Sequence, residues 1–303
     1  MHMRAIPYVQ TSVFVDDRYP FGGNQLATYW DADLNEAILT DVMQSMALEM
    51  NFSESTFIEK TTAKDCSFKV RIFTPASEIP FAGHPTLGTS FVLKYKNLIA
   101  QSEKSTILEL GVGPIPVEYL DSRLIQMEQP KPKFLNTIDD IGLVAETIGL
   151  TQNDVIQDLP IQPVSTGFPF LIVPLRDLAT VKRAVPNPQL ISENLKDLVS
   201  QEILIFSTEG VHSDSHVHAR MFAPGAGVLE DPATGSAVGP LGVYIEHYNV
   251  IKDHNISEDI TIEQGYEINR PSQLIVNVPN ENMDSVLVSG VTRLTAEGTF
   301  YLP

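Results

Sequence analysis

The chain has 303 residues, 43% of them hydrophobic, enough for a large core, and its length favours two domains over one. A formal net charge of -18 repels nucleic-acid backbones and anionic membrane surfaces, so neither is an expected partner. The single cysteine, Cys66, excludes an intramolecular disulfide, a four-cysteine zinc site and any mechanism built on two opposed thiols.

In chain order, Met1-His2-Met3-Arg4-Ala5 leads straight into a strand-like run without the charged segment, apolar core and cleavage site of a secretory signal. A cytoplasmic location is therefore expected. Ser12 to Asp16 reads as an early strand with poorly defined alternation. From Asp33, an N-cap with Glu36 three residues on, the positions Ile38, Val42 and Met46, with Leu39, Met43, Ala47 and Met50, form one broad apolar face. They predict an amphipathic helix running directly into Asn51-Phe52-Ser53-Glu54. Alternation is clear in Ser67 to Phe73 and in Val217 to Phe222, and short runs rich in Val, Ile and Phe suit curved antiparallel sheet.

Gly83 to Tyr95 and Gly235 to Ile245 each predict a buried helix, the first with almost no polar face, as expected where a sheet wraps round it. Pro240 predicts that the second starts late or is kinked. Phe168 to Leu175 is apolar for eight residues but contains two prolines, far short of the roughly 20 residues a membrane helix needs. Leu294 to Leu302 is the last strand-like segment and is expected to return to the N-terminal domain.

One offset recurs along the chain. Adding 149 takes Pro20 and Phe21 to Pro169 and Phe170, Phe57 to Phe206, and Arg71, Phe73 and Pro75 to Arg220, Phe222 and Pro224. The economical account is two domains of one fold, 1–118 plus 294–303 and 119–293, divided after the Gly111-Val112-Gly113-Pro114 turn, with the active site in the cleft between them. The two buried helices, one per repeat, would then bring two N-termini to that cleft. Unpaired backbone N–H groups there form an anion site without lysines, worth roughly 0.3 to 2 kcal/mol per end. Gly83 and Gly235 permit close approach of a ligand to the backbone.

Asn51-Phe52-Ser53-Glu54-Ser55, then Arg71-Ile72-Phe73-Thr74-Pro75 through Glu78, Pro80, Phe81, Ala82, Gly83, His84, Pro85 and Thr86, then Glu230-Asp231-Pro232-Ala233-Thr234-Gly235-Ser236-Ala237, carry a family resemblance. Together with the weaker Gly23-Asn24 block they resemble the signature blocks of the PhzF-like proteins of phenazine biosynthesis. The resemblance implies an α+β, diaminopimelate epimerase-like fold: two pseudo-symmetric domains, each a curved, mostly antiparallel sheet around a central helix. It implies an isomerase without cofactor that moves a proton and a double bond in a small carboxylated metabolite, and a homodimer.

It also carries the general acid/base role to Glu54, a carboxyl group whose pKa burial would raise toward the working pH. His84 and Asp231 are then expected to hydrogen-bond the substrate and tune proton movement. Asn24, Gly83, Gly235 and Ser236 are expected to bind the substrate, with Ser236 and its neighbouring N–H groups on the carboxylate or enol oxygen. Gln25, where the family often has proline, and Val238-Gly239-Pro240 depart from the pattern near the expected cleft.

Other readings are weaker. Epimerases and racemases of this fold use two opposed cysteines, and this chain has neither: Ala82 stands beside the first glycine motif and Asp231 lies in the second. Ser236, His84 and Asp231 supply the residue types of a hydrolase triad, but Ala233-Thr234-Gly235-Ser236 is not a Gly-x-Ser-x-Gly elbow. His212, His216 and His218 lack a clear set of further metal ligands. No dinucleotide fingerprint is present, and no metal or cofactor is indicated. A non-catalytic small-molecule binder on the same scaffold is the remaining alternative.

Overall fold

The computed structural model describes residues 3–31, 37–252 and 254–302. The first half runs through β1 (Arg4–Val13), β2 (Asn24–Trp30), α1 (Thr40–Met50), β3 (Glu54–Glu59), β4 (Phe68–Phe73), β5 (Glu78–Ile79), α2 (Gly83–Tyr95), β6 (Ser105–Leu110), β7 (Gly113–Tyr119) and β8 (Leu124–Gln129). The second runs through β9 (Lys133–Phe134), α3 (Ile141–Thr147), β10 (Gln162–Ser165), β11 (Pro169–Pro174), α4 (Leu178–Arg183), α5 (Pro188–Asn194), β12 (Ile203–Ser207), β13 (Val217–Ala223), β14 (Val228–Asp231), α6 (Gly235–Tyr248), β15 (Ile260–Gln264), β16 (Ser272–Asn277) and β17 (Val286–Leu302).

Both halves follow one pairing plan. In the first, β2 and β3 are parallel, β3 and β4 antiparallel, β4 and β6 parallel, and β6, β7 and β8 antiparallel in turn. In the second, β11 and β12 are parallel, β12 and β13 antiparallel, β13 and β15 parallel, and β15, β16 and β17 antiparallel in turn. Parallel neighbours need a long crossover, usually a helix. α2 joins β4 to β6 and α6 joins β13 to β15, and each crossover passes through the inside of its own curled sheet. The protein is thus an α+β fold of two pseudo-symmetric units, each a curved, mostly antiparallel sheet around a central helix.

The halves are laced together by their last strands. β8 pairs with the start of β17, Val286 opposite Gln129 through Val291 opposite Leu124. The rest of β17 lies along β1, with Arg4 opposite Leu302, while β9, continuing β8, pairs with β10. A division at residues 118 and 119 falls within β7, a strand bonded to β6 and β8, so the chain stays with the first sheet as far as Gln129.

Being surrounded explains the apolar sequences of the central helices. Every residue of α2 from Gly83 to Ser90 is buried, and every residue of α6 from Gly235 to Ile245. α6 does not start late: Pro240 sits inside it. Gln129 bonds the first turn of α6, its Nε2 donating to the Gly235 carbonyl at 2.8 Å. The outer face of the first sheet is covered by α1, which packs Met43, Met46 and Ala47 against Tyr29, Phe57 and Phe73. α1 is shorter than predicted. It begins at Thr40 after an exposed Leu39, Ile38 precedes it, and the predicted N-cap Asp33 and its partner Glu36 lie outside the described residues. The early strand also shifts: β1 ends at Val13, and Phe14 takes a left-handed φ of 62°.

The Arg-x-Phe repeat plays the same part twice. Arg71 on β4 donates to both carboxylate oxygens of Glu78 at 2.8 and 2.7 Å, and Arg220 on β13 donates to both of Glu230 at 2.9 and 2.7 Å. Each guanidinium also lies over the ring two residues on, Phe73 at 5.2 Å and Phe222 at 4.9 Å. Pro20 and Phe21 are different. They sit in the loop before β2, whereas Pro169 and Phe170 open β11, so that part of the offset has no structural counterpart.

Burial separates the two ion pairs. Glu78 is 41% exposed and Glu230 only 8%, and Arg220 also donates to the Val181 and Ala184 carbonyls. Arg71→Ala is expected to cost about 1 kcal/mol or less. Arg220→Ala strands a buried carboxylate and is expected to cost about 3–5 kcal/mol. Urea unfolding of the two variants measures the difference, and equal losses would contradict it.

Candidate active site

Glu54 reaches the cleft through the geometry of its strand. Asn51, in the left-handed region at φ 54°, ends α1 and turns the chain into β3, which Glu54 opens. Side chains alternate along a strand. Thr56 and Ile58 point inward, Thr56 to Thr89 on α2 and Ile58 into the core, so Glu54 shares that inner face at the mouth of the sheet.

There it meets the ends of both central helices. A Cβ at Gly83 would stand 2.5 Å from the Gly235 carbonyl carbon and from the Ser236 nitrogen. A Cβ at Gly235 would stand 2.7 Å from the ring of Phe14 and 3.1 Å from the Gly83 Cα. Only glycine lets the two backbones approach so closely. Neither helix has a side-chain cap at its N-terminus, which leaves backbone N–H groups aimed at the space between the halves.

The second residues of these helices are His84 and Ser236. His84 Nδ1 stands 3.5 Å from Glu54 Oε2, too far for a normal hydrogen bond, and Glu54 Oε2 and His84 Nε2 are both buried without a partner. Buried polar atoms are rarely left unpaired in a folded protein, and the one on Glu54, which lines the cavity, marks a place for a ligand. Burial pulls the His84 pKa down to about 3, against a backbone hydrogen bond with Gln25, so the imidazole is neutral near pH 7. Burial, assisted by the negative charge of Asp231, holds the Glu54 carboxyl well above the usual range.

Asp231, at the end of β14, is treated differently by its surroundings. Asn24 Nδ2 donates to Oδ1 at 2.8 Å, the Thr234 hydroxyl donates to Oδ2 at 2.5 Å, and the Ser53 hydroxyl adds a third bond. Burial raises its pKa to about 6 while these donors pull it down. The buried Gln264 fixes the turn, donating to the Asp231 carbonyl at 2.8 Å and accepting from the Thr234 N–H at 3.0 Å. Of two neighbouring carboxyl groups, Asp231 therefore carries the charge more readily and Glu54 the proton.

Glu54, Asp231 and Ser236 line the cavity directly, with Phe81, Phe168, Phe170 and Met221 as its apolar wall. His84, Gly83 and Gly235 stand immediately behind them. Asn24, expected to bind substrate, instead gives its Nδ2 hydrogens to Asp231 and to the Ala233 carbonyl at 2.9 Å, and it is not among the lining residues. Ser53, Thr234 and Gln264 were not assigned roles from sequence. The first two lie inside the signature blocks, whereas Gln264 carries no local signal. The histidines of the second half go elsewhere: His218 bonds Glu263 and Glu267, His212 bonds Tyr19, and His216 accepts from the Thr261 N–H. Among the described residues no group of three or more His, Cys, Asp and Glu is placed to hold a metal ion, and no helix is long and apolar enough to cross a membrane.

Two sheets curled round helices that meet across an acidic cleft define the racemase and epimerase class of fold. A probable proline racemase from Agrobacterium radiobacter shares it, with a TM-score of 0.67 at 8% identity over 98% of this chain and 93% of that one. Within that class the chain belongs to the phenazine biosynthesis-like family, PhzC-PhzF, whose model matches residues 12–298. Trans-2,3-dihydro-3-hydroxyanthranilate isomerase of Pseudomonas aeruginosa is 33% identical over 302 residues, 97% of this chain and 99% of that one. A PhzF-family protein of Bacillus anthracis superposes with a TM-score of 0.85 at 29% identity, covering 98% of this chain and 99% of that one. The family and these relatives support an isomerase role.

The proton on Glu54 has a measurable consequence. Its pKa is raised by folding above the ordinary 4.5, so ionisation opposes the fold increasingly as pH rises above that value. Below it both states are protonated and the penalty vanishes. Glu54→Gln, which cannot ionise, is therefore expected to unfold at a higher temperature than wild type, by more at about pH 8 than at about pH 4. Calorimetry at the two pH values checks this, and a pH-independent difference would contradict it.

Proposed function

We propose that the protein is a cofactor-independent isomerase that moves a proton and a double bond in a small carboxylated metabolite, with Glu54 carrying the proton. The observation that supports this most strongly is the buried, unpartnered Oε2 of Glu54 between two uncapped helix N-termini. As a carboxylate, Glu54 takes a proton from a substrate carbon, and the C–H electron pair moves into a new double bond. Charge then gathers on the conjugated carboxylate or enol oxygen, where the N–H groups at the starts of α2 and α6 and the Ser236 hydroxyl stabilise it. Protonated Glu54 returns the proton to a second carbon of the conjugated system, which shifts the double bond and regenerates the carboxylate.

A raised pKa suits both halves of this cycle, because the group must hold a proton and release it at one pH. His84, neutral through burial, offers a hydrogen bond without adding charge. Asp231, bound by Asn24, Ser53 and Thr234, keeps negative charge beside Glu54 and so favours its protonated form. The Pseudomonas aeruginosa relative acts on trans-2,3-dihydro-3-hydroxyanthranilate, a cyclic unsaturated carboxylate. We extend only that broad class to this chain, since Phe81, Phe168 and Phe170 offer apolar surface to a ring.

Deuterium uptake from D₂O, followed by NMR over a panel of cyclic and unsaturated carboxylates, tests the reading. Wild type is expected to exchange or isomerise at least one of them, and Glu54→Gln to bind it while losing about 10²- to 10⁴-fold in rate. Undiminished turnover in the variant would remove Glu54 from the mechanism. Binding without turnover in either protein would favour the non-catalytic alternative.

A further inference from the structure

The cavity has a second wall that the proton shuttle does not use. Glu202 precedes β12 as Ser53 precedes β3, at the 149-residue offset that relates the halves. Its backbone is fixed, the carbonyl accepting from the Leu171 N–H of β11 at 2.9 Å. One carboxylate oxygen, Oε2, accepts from the Gln201 N–H at 3.2 Å and lies 2.9 Å from Ser200 Oγ, itself 2.8 Å from the Pro169 carbonyl. The other oxygen, Oε1, has no partner, and Glu202 makes no ion pair among the described residues. The side chain lines the same cavity as Glu54, on the wall that includes Phe168 and Phe170.

Among the described residues no Lys, Arg or His lines that cavity. Among the described residues its only positive features are the backbone N–H groups at the helix ends, which take the anionic part of a ligand. Phe81, Phe168, Phe170 and Met221 take an apolar body. That leaves an oriented carboxylate with an open oxygen beside apolar surface, an arrangement that favours a charged donor over water or an aliphatic group. We infer that Glu202 is a specificity-determining residue that recognises a cationic donor, an ammonium or amidinium group, separated from the substrate carboxylate by an apolar body. The inference rests on the cleft being the substrate site of the proposed isomerase.

The probes are 4-(aminomethyl)benzoate and 4-methylbenzoate, alike in ring, carboxylate and position of the substituent, titrated by calorimetry near neutral pH. Wild type is expected to bind the amine about tenfold more tightly. In Glu202→Gln, which keeps the shape and an oxygen for the Gln201 N–H, the preference is expected to fall below about twofold, with thermal unfolding showing that the fold is kept. Wild-type binding of the amine no tighter than of the methyl compound, whether both bind or neither does, would overturn the inference. So would a preference that survives in Glu202→Gln. Glu54→Gln, titrated in parallel, separates the two readings: it should keep the preference for the amine whatever its effect on proton exchange.

Discussion

The N-termini of α2 and α6 meet head to head, and most of the site follows from that contact. Each helix end carries roughly half a positive charge, and neither has a side-chain cap, so bringing both together is unfavourable unless negative charge lies between them. Closeness is imposed by the sheets. Each helix is the crossover of two parallel strands and is buried for at least two turns, so its start is fixed by the frame and cannot retreat. Gly83 and Gly235 remove the side chains that would hold the backbones apart. The Asp231 carboxylate supplies part of the missing charge, and the anionic substrate proposed above would supply the rest. Among the described residues no lysine or arginine lines the cavity, so the helix ends are its positive pole.

The same contact explains why two carboxyl groups so close together behave differently. Asp231 is surrounded by donors drawn from both halves, Asn24 and Ser53 from one and Thr234 from the other. Such bonds favour the ionised form against the cost of burial. Glu54 receives none at Oε2, so burial and the neighbouring charge act on it unopposed. The polar network around Asp231 is therefore not decoration on a helix end. It favours ionisation of Asp231 over that of Glu54.

Much of this was legible in the sequence where the cause is local. The near-absence of a polar face on Gly83 to Tyr95 reported a helix enclosed by sheet, and the signature blocks pointed to Glu54, His84, Asp231 and Ser236, which the fold brings together. What was not legible depends on residues far apart in the chain. Asn24 and Asp231 are 207 positions apart, and nothing near Asn24 indicates that its amide is used to hold a carboxylate rather than a ligand. Gln264 likewise acts on Asp231 and Thr234 through the register of β15. The start of α1 was misplaced because Ile38 and Leu39 continue its apolar period, although the helix begins only at Thr40. Pro240 did not delay the start of α6, which begins at Gly235 and is enclosed by its sheet.

A duplicated frame makes the divergence of matched positions informative. His84 and Ser236 are both second residues of central helices, one an imidazole beside the acid and the other a hydroxyl beside the opposing helix end. Glu54 and Ile203 both open the strand that follows the outer helices, yet only one can hold a proton. Ser53 and Glu202 precede them, the first spent on Asp231 and the second open to the cavity. The surviving symmetry is in the frame: the paired strands, the bidentate arginines and the opposed, uncapped helix ends. The polar side chains at the cleft, by contrast, differ from their counterparts. A cleft of this kind presents distinct chemistry on its two walls, as the one-base shuttle proposed above requires.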